Sequence, residues 1–169
     1  MATATATDLY DLPVTAIDGT PGTLAPYRGR VLLIVNVASR CGFTPQYAGL
    51  ETLSREFKGR GLTVLGFPCD QFAHQEPGDE AAIAAFCQLK YDVTFPLFAK
   101  VAVNGPATHP LFALLKDRAR GTLGTRRIKW NFTKFLVGRD GEVLRRYGPT
   151  ASPGSLGQRV KGLVAAGVP

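Results

Sequence analysis

The sequence contains few cysteines and few histidines, and these shortages exclude two classes of protein. Its three cysteines, Cys41, Cys69 and Cys87, form an odd and sparse set, which argues against a secreted disulfide scaffold and favours reduced cytosolic thiols. No two of them form a CxxC pair, and only His74 and His109 could join them at a metal site. We therefore expect neither zinc nor any other cofactor.

Long apolar runs are absent too. No stretch approaches the roughly 20 consecutive apolar residues that a membrane span needs. The first ten residues lack the basic start and the apolar centre of a secretory signal. We therefore expect a cytoplasmic protein without a transmembrane segment.

Acidic residues are outnumbered by basic ones, 13 against 20, which gives a net charge of +7 at pH 7. The basic residues are concentrated late in the chain: Arg118, Arg120, Arg126, Arg127, Lys129, Lys134, Arg139, Arg145 and Arg146. Such a cluster could attract nucleic acid, an anionic membrane or an acidic small substrate. Because no nucleic-acid motif accompanies the charge, a solvated basic surface is the simpler interpretation, and we expect no nucleic-acid partner.

The hydrophobic pattern of this 169-residue chain predicts one α/β domain over residues 1–169. Residues 31–38 form a nearly continuous apolar run, which is typical of a strand covered on both faces. Apolar residues then recur at helical spacing from Pro45 until "KGRG", and residues 62–67 form a second buried strand. A strand, a helix and a strand at this spacing indicate two parallel strands joined by a right-handed crossover.

The remaining pattern surrounds this unit with further elements. We predict an N-terminal β-hairpin that begins within residues 8–18, a helix over 77–91, a strand over 95–103, a helix over 109–117, a β-hairpin over 132–147 and a closing helix from Ser152. Together these predict a central mixed sheet that is flanked by helices.

Cys41 lies between the first apolar strand and a helix for which we predict Thr44 as N-cap and Pro45 as first residue. Backbone N–H groups and the helix dipole favour an anion at such a junction, so the thiolate of Cys41 would be stabilised there. The alternative, a cysteine that serves only as a small buried apolar residue, is equally compatible with the position.

The placement of Cys41 resembles that in thioredoxin-fold proteins, but Thr44 stands where a second cysteine would complete a CxxC motif. This difference disfavours a general thiol–disulfide oxidoreductase. A lone activated cysteine suits attack on a peroxide oxygen, which yields a sulfenic acid.

Three segments resemble the glutathione peroxidase family: "NVASRCGFTPQY" (36–47), "GFPCDQFAHQEPG" (66–78) and "KWNFTKFLV" (129–137). The resemblance implies a thioredoxin-like fold and a peroxidatic Cys41, supported by Gln75, Trp130 and Asn131. Amide and indole N–H groups are suitable partners, because they donate hydrogen bonds to a thiolate without titrating themselves.

The segment "FCQLKYDVTFP" resembles the part of the cysteine-type, thioredoxin-dependent members that carries the resolving cysteine. This resemblance implies a Cys41–Cys87 disulfide that thioredoxin reduces, with glutathione a less favoured reductant, and leaves Cys69 a structural role. The family more often has asparagine where this chain has Asp70, and we expect Asp70 to cap nearby backbone N–H groups as asparagine would.

The segment over residues 118–128 is short, and in this it resembles the monomeric members of the family. The resemblance implies an open active site that accepts bulky organic or lipid hydroperoxides as well as hydrogen peroxide. A peroxide sensor that passes its oxidation to a partner protein would use the same cysteines, so the sequence leaves that alternative open. Because Cys41 and Cys87 belong to different helical segments, we expect their sulfurs to be apart in the reduced protein, with disulfide formation disordering residues 80–92.

Overall fold

The computed structural model describes residues 7–167. Its strands are β1 (Pro13–Thr15), β2 (Pro21–Thr23), β3 (Val31–Val37), β4 (Leu62–Pro68), β5 (Lys134–Val137) and β6 (Val143–Tyr147). Its α-helices are α1 (Gln46–Phe57), α2 (Glu80–Tyr91), α3 (Pro110–Arg118) and α4 (Gly157–Ala165). Short 3₁₀ turns connect several of these elements.

The central sheet is mixed, as the sequence predicts, and its strand order is β4-β3-β5-β6. Strand β3 pairs in parallel with β4 and antiparallel with β5, which forms an antiparallel hairpin with β6. All seven residues of β3 are buried, because helices or loops cover both faces of the strand. This two-sided burial explains why the strand is an unbroken apolar run rather than an alternating one. Strands β1 and β2 form the separate N-terminal hairpin.

Two apolar clusters lie on opposite sides of the sheet, each built from alternate residues of its strands. One cluster joins Leu32 and Ile34 of β3 to α3 and to the N-terminal segment. The other joins Leu33 and Val35 of β3 to α1, α2 and α4, and it contains both Cys41 and Cys87. The two cysteines assigned to the redox cycle therefore share one side of the sheet.

The predicted strand over residues 95–103 is wrong, since this segment makes only isolated bridges. The N–H of Gly66 in β4 donates to the Pro96 carbonyl at 3.0 Å, and the Phe98 N–H donates to the Gly66 carbonyl at 2.9 Å. Pro96 has no N–H with which to extend the pairing. A Cβ built on Gly66 would lie 2.8 Å from Leu97 Cδ2, so glycine lets this segment pack closely against β4 without displacing the Leu97 side chain.

Several predicted helix boundaries also shift. The helix predicted over 77–91 begins at Glu80, because the Asp79 side chain caps it by accepting a hydrogen bond from the Ala82 N–H at 2.8 Å. Helix α1 begins at Gln46, and Pro45 is its N-cap rather than its first residue. Residues 9–11, within the stretch assigned to the N-terminal hairpin, form a 3₁₀ turn ahead of β1.

The predicted C-terminal hairpin and closing helix are confirmed. The turn between β5 and β6 contains Gly141, whose φ of +84° favours glycine. A 3₁₀ turn over Pro153–Leu156 precedes α4. Within residues 7–167, no helix has the length and apolar character required to cross a membrane.

Candidate active site

Cys41 lies in the loop between β3 and α1, with only 7% of the residue exposed. Its backbone N–H donates to Thr44 Oγ1 at 2.8 Å, and the Thr44 hydroxyl donates to the Ala38 carbonyl at 2.8 Å. The prediction that Thr44 caps α1 is therefore wrong, because its hydroxyl is used to close the loop around Cys41. Thr44 fixes the backbone of this loop between the strand and the helix.

The sulfur of Cys41 accepts a hydrogen bond from the backbone N–H of Phe43, with an N to Sγ distance of 3.3 Å. An N–H group that points at the sulfur stabilises negative charge there. In the part of the chain that the structure describes, Cys41 Sγ has no other hydrogen bond, so the predicted partners Gln75, Trp130 and Asn131 do not donate to it directly.

Two of the predicted site residues are brought into contact across the fold. Asn131 Nδ2 donates to Gln75 Oε1 at 3.0 Å, and Asn131 is fully buried. The Gln75 carbonyl accepts a hydrogen bond from the Arg40 N–H at 3.0 Å, which ties the loop of Gln75 to the loop of Cys41. Ala73 and His74 have positive φ values of 55° and 51°, so a tight turn positions Gln75.

Asn36 holds the segment that carries Trp130 and Asn131, a role that the sequence did not reveal. Asn36 Nδ2 donates to the Trp130 carbonyl at 3.2 Å, and the Asn36 carbonyl accepts from the Phe132 N–H at 2.7 Å. Thr133 Oγ1 also donates to the Trp130 carbonyl at 2.9 Å. Because Asn36 belongs to the rigid central strand, it fixes the segment relative to Cys41.

The Trp130 ring packs against both apolar clusters and lies 5.6 Å from the Phe72 ring, centroid to centroid. Asn131 Oδ1 is buried and has no hydrogen-bond partner among residues 7–167. An unpaired acceptor of this kind is costly unless a donor such as a hydroperoxide O–H or a water reaches it. The Asn131 amide oxygen can therefore accept a hydrogen bond from a substrate O–H while Nδ2 remains bonded to Gln75.

Cys87 lies on the inner face of α2 with only 1% of the residue exposed. Burial raises the pKa of its thiol from 9.0 to about 11; the neighbouring Tyr47 hydroxyl works against this increase, whereas the charge of Glu76 adds to it. All three cysteines are free, so the structure shows the dithiol form of the Cys41 and Cys87 pair. The separation of the two sulfurs remains a prediction.

Cys69 and Asp70 occupy positions that agree with the roles expected for them. Cys69 is fully buried in the cluster opposite Cys41 and Cys87, and burial raises the pKa of its thiol. Asp70 Oδ1 accepts a hydrogen bond from the Glu76 N–H at 3.0 Å, and Oδ2 lies 3.1 Å from His74 Nδ1. Asp70 thus caps its own loop, as asparagine could.

Glu76 is a buried carboxyl group that the sequence did not single out, with 1% of the residue exposed. Burial raises its pKa, and a hydrogen bond from the Ser39 hydroxyl to Oε1 partly opposes the increase. Ser39, Arg40 and Glu76 line a cavity of about 160 Å³ that also borders Ile83 and Phe86 of α2. A titratable group therefore lies between the loop of Cys41 and the helix that carries Cys87.

A second cavity, of about 220 Å³, has four basic side chains in its wall: Arg120, Arg127, Lys129 and Arg146. None of the described residues that line it is acidic. Arg120 lies 3.7 Å from Asp117 outside the wall, which pairs part of this charge. The remaining positive charge in a concave site attracts anions. Four of the late basic residues therefore line a defined pocket.

The described residues contain no group of three or more His, Cys, Asp or Glu side chains that could hold a metal ion.

The family model described as glutathione peroxidase matches residues 9–116 of the chain. The hydroperoxy fatty acid reductase gpx1 of Synechocystis is 52% identical over 161 residues, covering 92% of this chain and 95% of that protein. The glutathione peroxidase-like peroxiredoxin HYR1 of Saccharomyces cerevisiae is 48% identical over 157 residues, covering 93% and 96%.

Solved structures show the same similarity. The crystal structure of Trgpx in its apo form superposes with a TM-score of 0.81 at 38% identity, covering 98% of this chain and 100% of that one. A thioredoxin-family thiol:disulfide interchange protein from Chlorobium tepidum superposes with a TM-score of 0.68 at 18% identity, covering 96% of this chain and 99% of that one. The second match shows the fold alone, and it confirms the predicted thioredoxin-like architecture.

Proposed function

The chain belongs to the glutathione peroxidase family, and we propose that it is a thiol peroxidase in which hydroperoxides oxidise Cys41 and Cys87 resolves the oxidised residue. The observation that carries the proposal is the convergence of three loops at one site. The loop of Cys41 is bonded to the loop of Gln75, and Gln75 is bonded to Asn131. We assign the catalytic roles to Cys41, Gln75, Trp130 and Asn131.

The first step is attack of the Cys41 thiolate on the terminal oxygen of the hydroperoxide. The O–O bond breaks, the sulfur becomes a sulfenic acid, and the other oxygen leaves as water or an alcohol after it takes up a proton. The Phe43 N–H stabilises the thiolate, and the unpaired Asn131 Oδ1 accepts the hydroperoxide O–H. The indole N–H of Trp130 and the amide of Gln75 are polar groups that can stabilise the leaving oxygen.

The second step condenses the sulfenic acid with the Cys87 thiol to form a disulfide and water. The buried Cys87 thiol is protonated almost completely at neutral pH, because its pKa is about 11. We therefore propose that α2 opens locally around Cys87 before the disulfide closes. Opening exposes the thiol to water, allows it to ionise and lets its backbone approach Cys41.

We propose thioredoxin as the reductant of the Cys41–Cys87 disulfide, since dithiol exchange reduces an intramolecular disulfide directly. The relatives with similar sequences include proteins named glutathione peroxidase-like peroxiredoxins, which supports a reductant of this type. Glutathione is the less favoured donor.

Hydrogen peroxide and organic hydroperoxides, including those of lipids, are the proposed substrates. One relative is named a hydroperoxy fatty acid reductase, and the basic cavity lined by Arg127, Lys129 and Arg146 suits the anionic end of such a molecule. A monomeric state, a cytoplasmic location and one domain over residues 1–169 remain predictions.

A coupled assay tests the proposal: peroxide consumption is followed with thioredoxin and thioredoxin reductase, or with glutathione and glutathione reductase. We expect sustained turnover with thioredoxin and its loss in Cys41→Ser, because a hydroxyl is a far weaker nucleophile at neutral pH. Cys69→Ala is the matched control, since it removes a buried thiol on the other side of the sheet. Substantial activity in Cys41→Ser would remove the central claim.

The same assay separates an enzyme from a peroxide sensor, which remains the alternative function. A sensor would transfer one oxidising equivalent to a partner protein and would not sustain turnover with thioredoxin. Cys87→Ser should still react once with peroxide but fail to recycle, and full thioredoxin-dependent turnover by this variant would contradict the assignment of Cys87.

A further inference from the structure

The carboxyl group of Glu76 lies between the two halves of the proposed thiol cycle. Its Oε1 is bonded to the Ser39 hydroxyl, two residues before Cys41, and its chain neighbour Gln75 is bonded to Asn131. On its other side, Glu76 faces the cavity whose far wall is α2. Neither the family assignment nor the proposed peroxide step uses this side chain.

The second oxygen of Glu76, Oε2, has no hydrogen-bond partner among the described residues although it is buried. A buried carboxyl oxygen without a partner costs free energy, so a water or a reacting group is expected to reach it. The adjacent cavity of about 160 Å³ has room for this, since a single water requires only about 10–15 Å³.

The cavity borders the helix that carries Cys87. Ile83 and Phe86 form its α2 side, and Cys87 follows Phe86 on the inner face of the same helix. Glu76 is also close enough to Cys87 to influence the pKa of its thiol. A proton held at Glu76 would therefore lie between the loop that carries Cys41 and the helix that carries Cys87.

We propose that Glu76 is the acid that protonates the hydroxyl group leaving Cys41 when Cys87 closes the disulfide; this inference rests on the proposed function. The Cys87 thiolate attacks the Cys41 sulfur, the S–S bond forms and the S–O bond breaks. The departing hydroxide takes the proton of the Glu76 carboxyl group, directly or through water in the cavity, and leaves as water. The Glu76 carboxylate then regains a proton from solvent, so no further oxidant or reductant is needed.

Burial supports this role, because it raises the pKa of Glu76 and keeps more of its carboxyl group protonated than in an exposed glutamate. A neutral carboxylic acid is an effective proton donor when hydroxide, a poor leaving group, must depart.

Glu76→Gln tests the inference, because glutamine has nearly the same shape and can still accept the Ser39 hydrogen bond but has no acidic proton. Single-turnover mixing with one equivalent of hydrogen peroxide separates two rates, sulfenic acid formation and disulfide closure. We expect the first rate to change less than twofold and the second to fall about 100-fold. Glu142→Gln, which makes the same change in an exposed side chain of the turn between β5 and β6, is the matched control and should leave both rates unchanged.

Glu76→Ala provides a second measurement that a structural role would not affect. It enlarges the cavity, and imidazole or acetate buffer at fixed pH and ionic strength should restore disulfide closure in proportion to buffer concentration. Disulfide closure by Glu76→Gln at the wild-type rate, or slow closure in Glu76→Ala that no buffer restores, would overturn the inference. If the wild-type protein formed no sulfenic acid at all, the proposed function itself would fail, and the two outcomes are therefore distinguishable.

Discussion

The burial of Cys87 predicts that weakening α2 makes the resolving step faster. Raising the pKa of the Cys87 thiol from 9.0 to about 11 disfavours its thiolate by about 3 kcal/mol. At pH 7 this reduces the thiolate from about one molecule in 100 to about one in 10,000. A helix that opens relieves most of this penalty, so disulfide closure should proceed through the open state.

Ala85→Gly is the appropriate perturbation, because Ala85 is exposed in the middle of α2 and contributes little to the core. Glycine in a helix interior costs about 1 kcal/mol relative to alanine. If that cost falls on the closed form of α2, the open population rises about fivefold, and disulfide closure should accelerate by the same factor. The peroxide step should be unchanged, since Cys41 does not belong to α2.

Rapid mixing with one equivalent of hydrogen peroxide, followed by acid quenching and counting of free thiols, measures disulfide closure. Ala113→Gly in α3 is the control, because it introduces the same backbone change in a helix on the other side of the sheet. Acceleration in Ala85→Gly alone would support opening of α2. Equal or slower closure in Ala85→Gly would refute the reasoning and would mean that an intact α2 is required to present Cys87.

Three further predictions concern other groups. Trp130→Phe keeps an aromatic ring but removes the indole N–H, so single-turnover oxidation of Cys41 should slow by about 10–1000-fold; an unchanged rate would reduce Trp130 to packing. Asn36→Ala removes the hydrogen bond to the Trp130 carbonyl, so urea unfolding should show a loss of about 1–3 kcal/mol and peroxide reaction should slow; wild-type values would mean that backbone contacts hold the segment. Burial lowers the pKa of Lys134 from 10.5 to about 8. The buried charge therefore reduces the free energy of unfolding by its full amount below pH 8, and this loss disappears as the pH rises to 10.5. Lys134→Met should therefore be more stable than wild type at pH 7, by at most about 3 kcal/mol, and the difference should be smaller at pH 10. A stability gain that does not depend on pH would show that it does not come from the buried charge of Lys134.

The elements that the sequence predicted well are those whose signals are local. The unbroken apolar run of β3 indicates burial on both faces, and a turn residue with positive φ, Gly141, indicates the C-terminal hairpin. The segment over 95–103 has the same apolar character, yet it forms no strand. Its pairing is decided by Pro96, which lacks a donor, and by contact with Gly66 far away in the chain.

The site residues also divide into those with a local sequence signal and those whose role depends on distant contacts. Cys41, Gln75 and the Trp130–Asn131 pair lie in segments whose resemblance to a family identifies them. Asn36 and Glu76 were missed because their roles depend on contacts with Trp130 and Ser39, and a lone amide in a strand or a carboxyl group in a loop carries no local signal for such contacts. When a buried polar side chain bonds to a residue that is distant in the sequence, its role can be recognised only from the folded structure.

Both thiols are buried, but they differ in a way that would keep the steps of the cycle in order. The Cys41 sulfur accepts a hydrogen bond from the backbone N–H of Phe43, whereas burial raises the pKa of the Cys87 thiol to about 11 and keeps it protonated at neutral pH. A protonated thiol is a poor nucleophile, so Cys87 does not compete with Cys41 for peroxide while α2 is closed. In the proposed cycle α2 opens before the disulfide closes, so the resolving thiol would become reactive only in the state that exposes it. Burial of Cys87 therefore slows resolution but protects the second thiol from direct oxidation by the substrate.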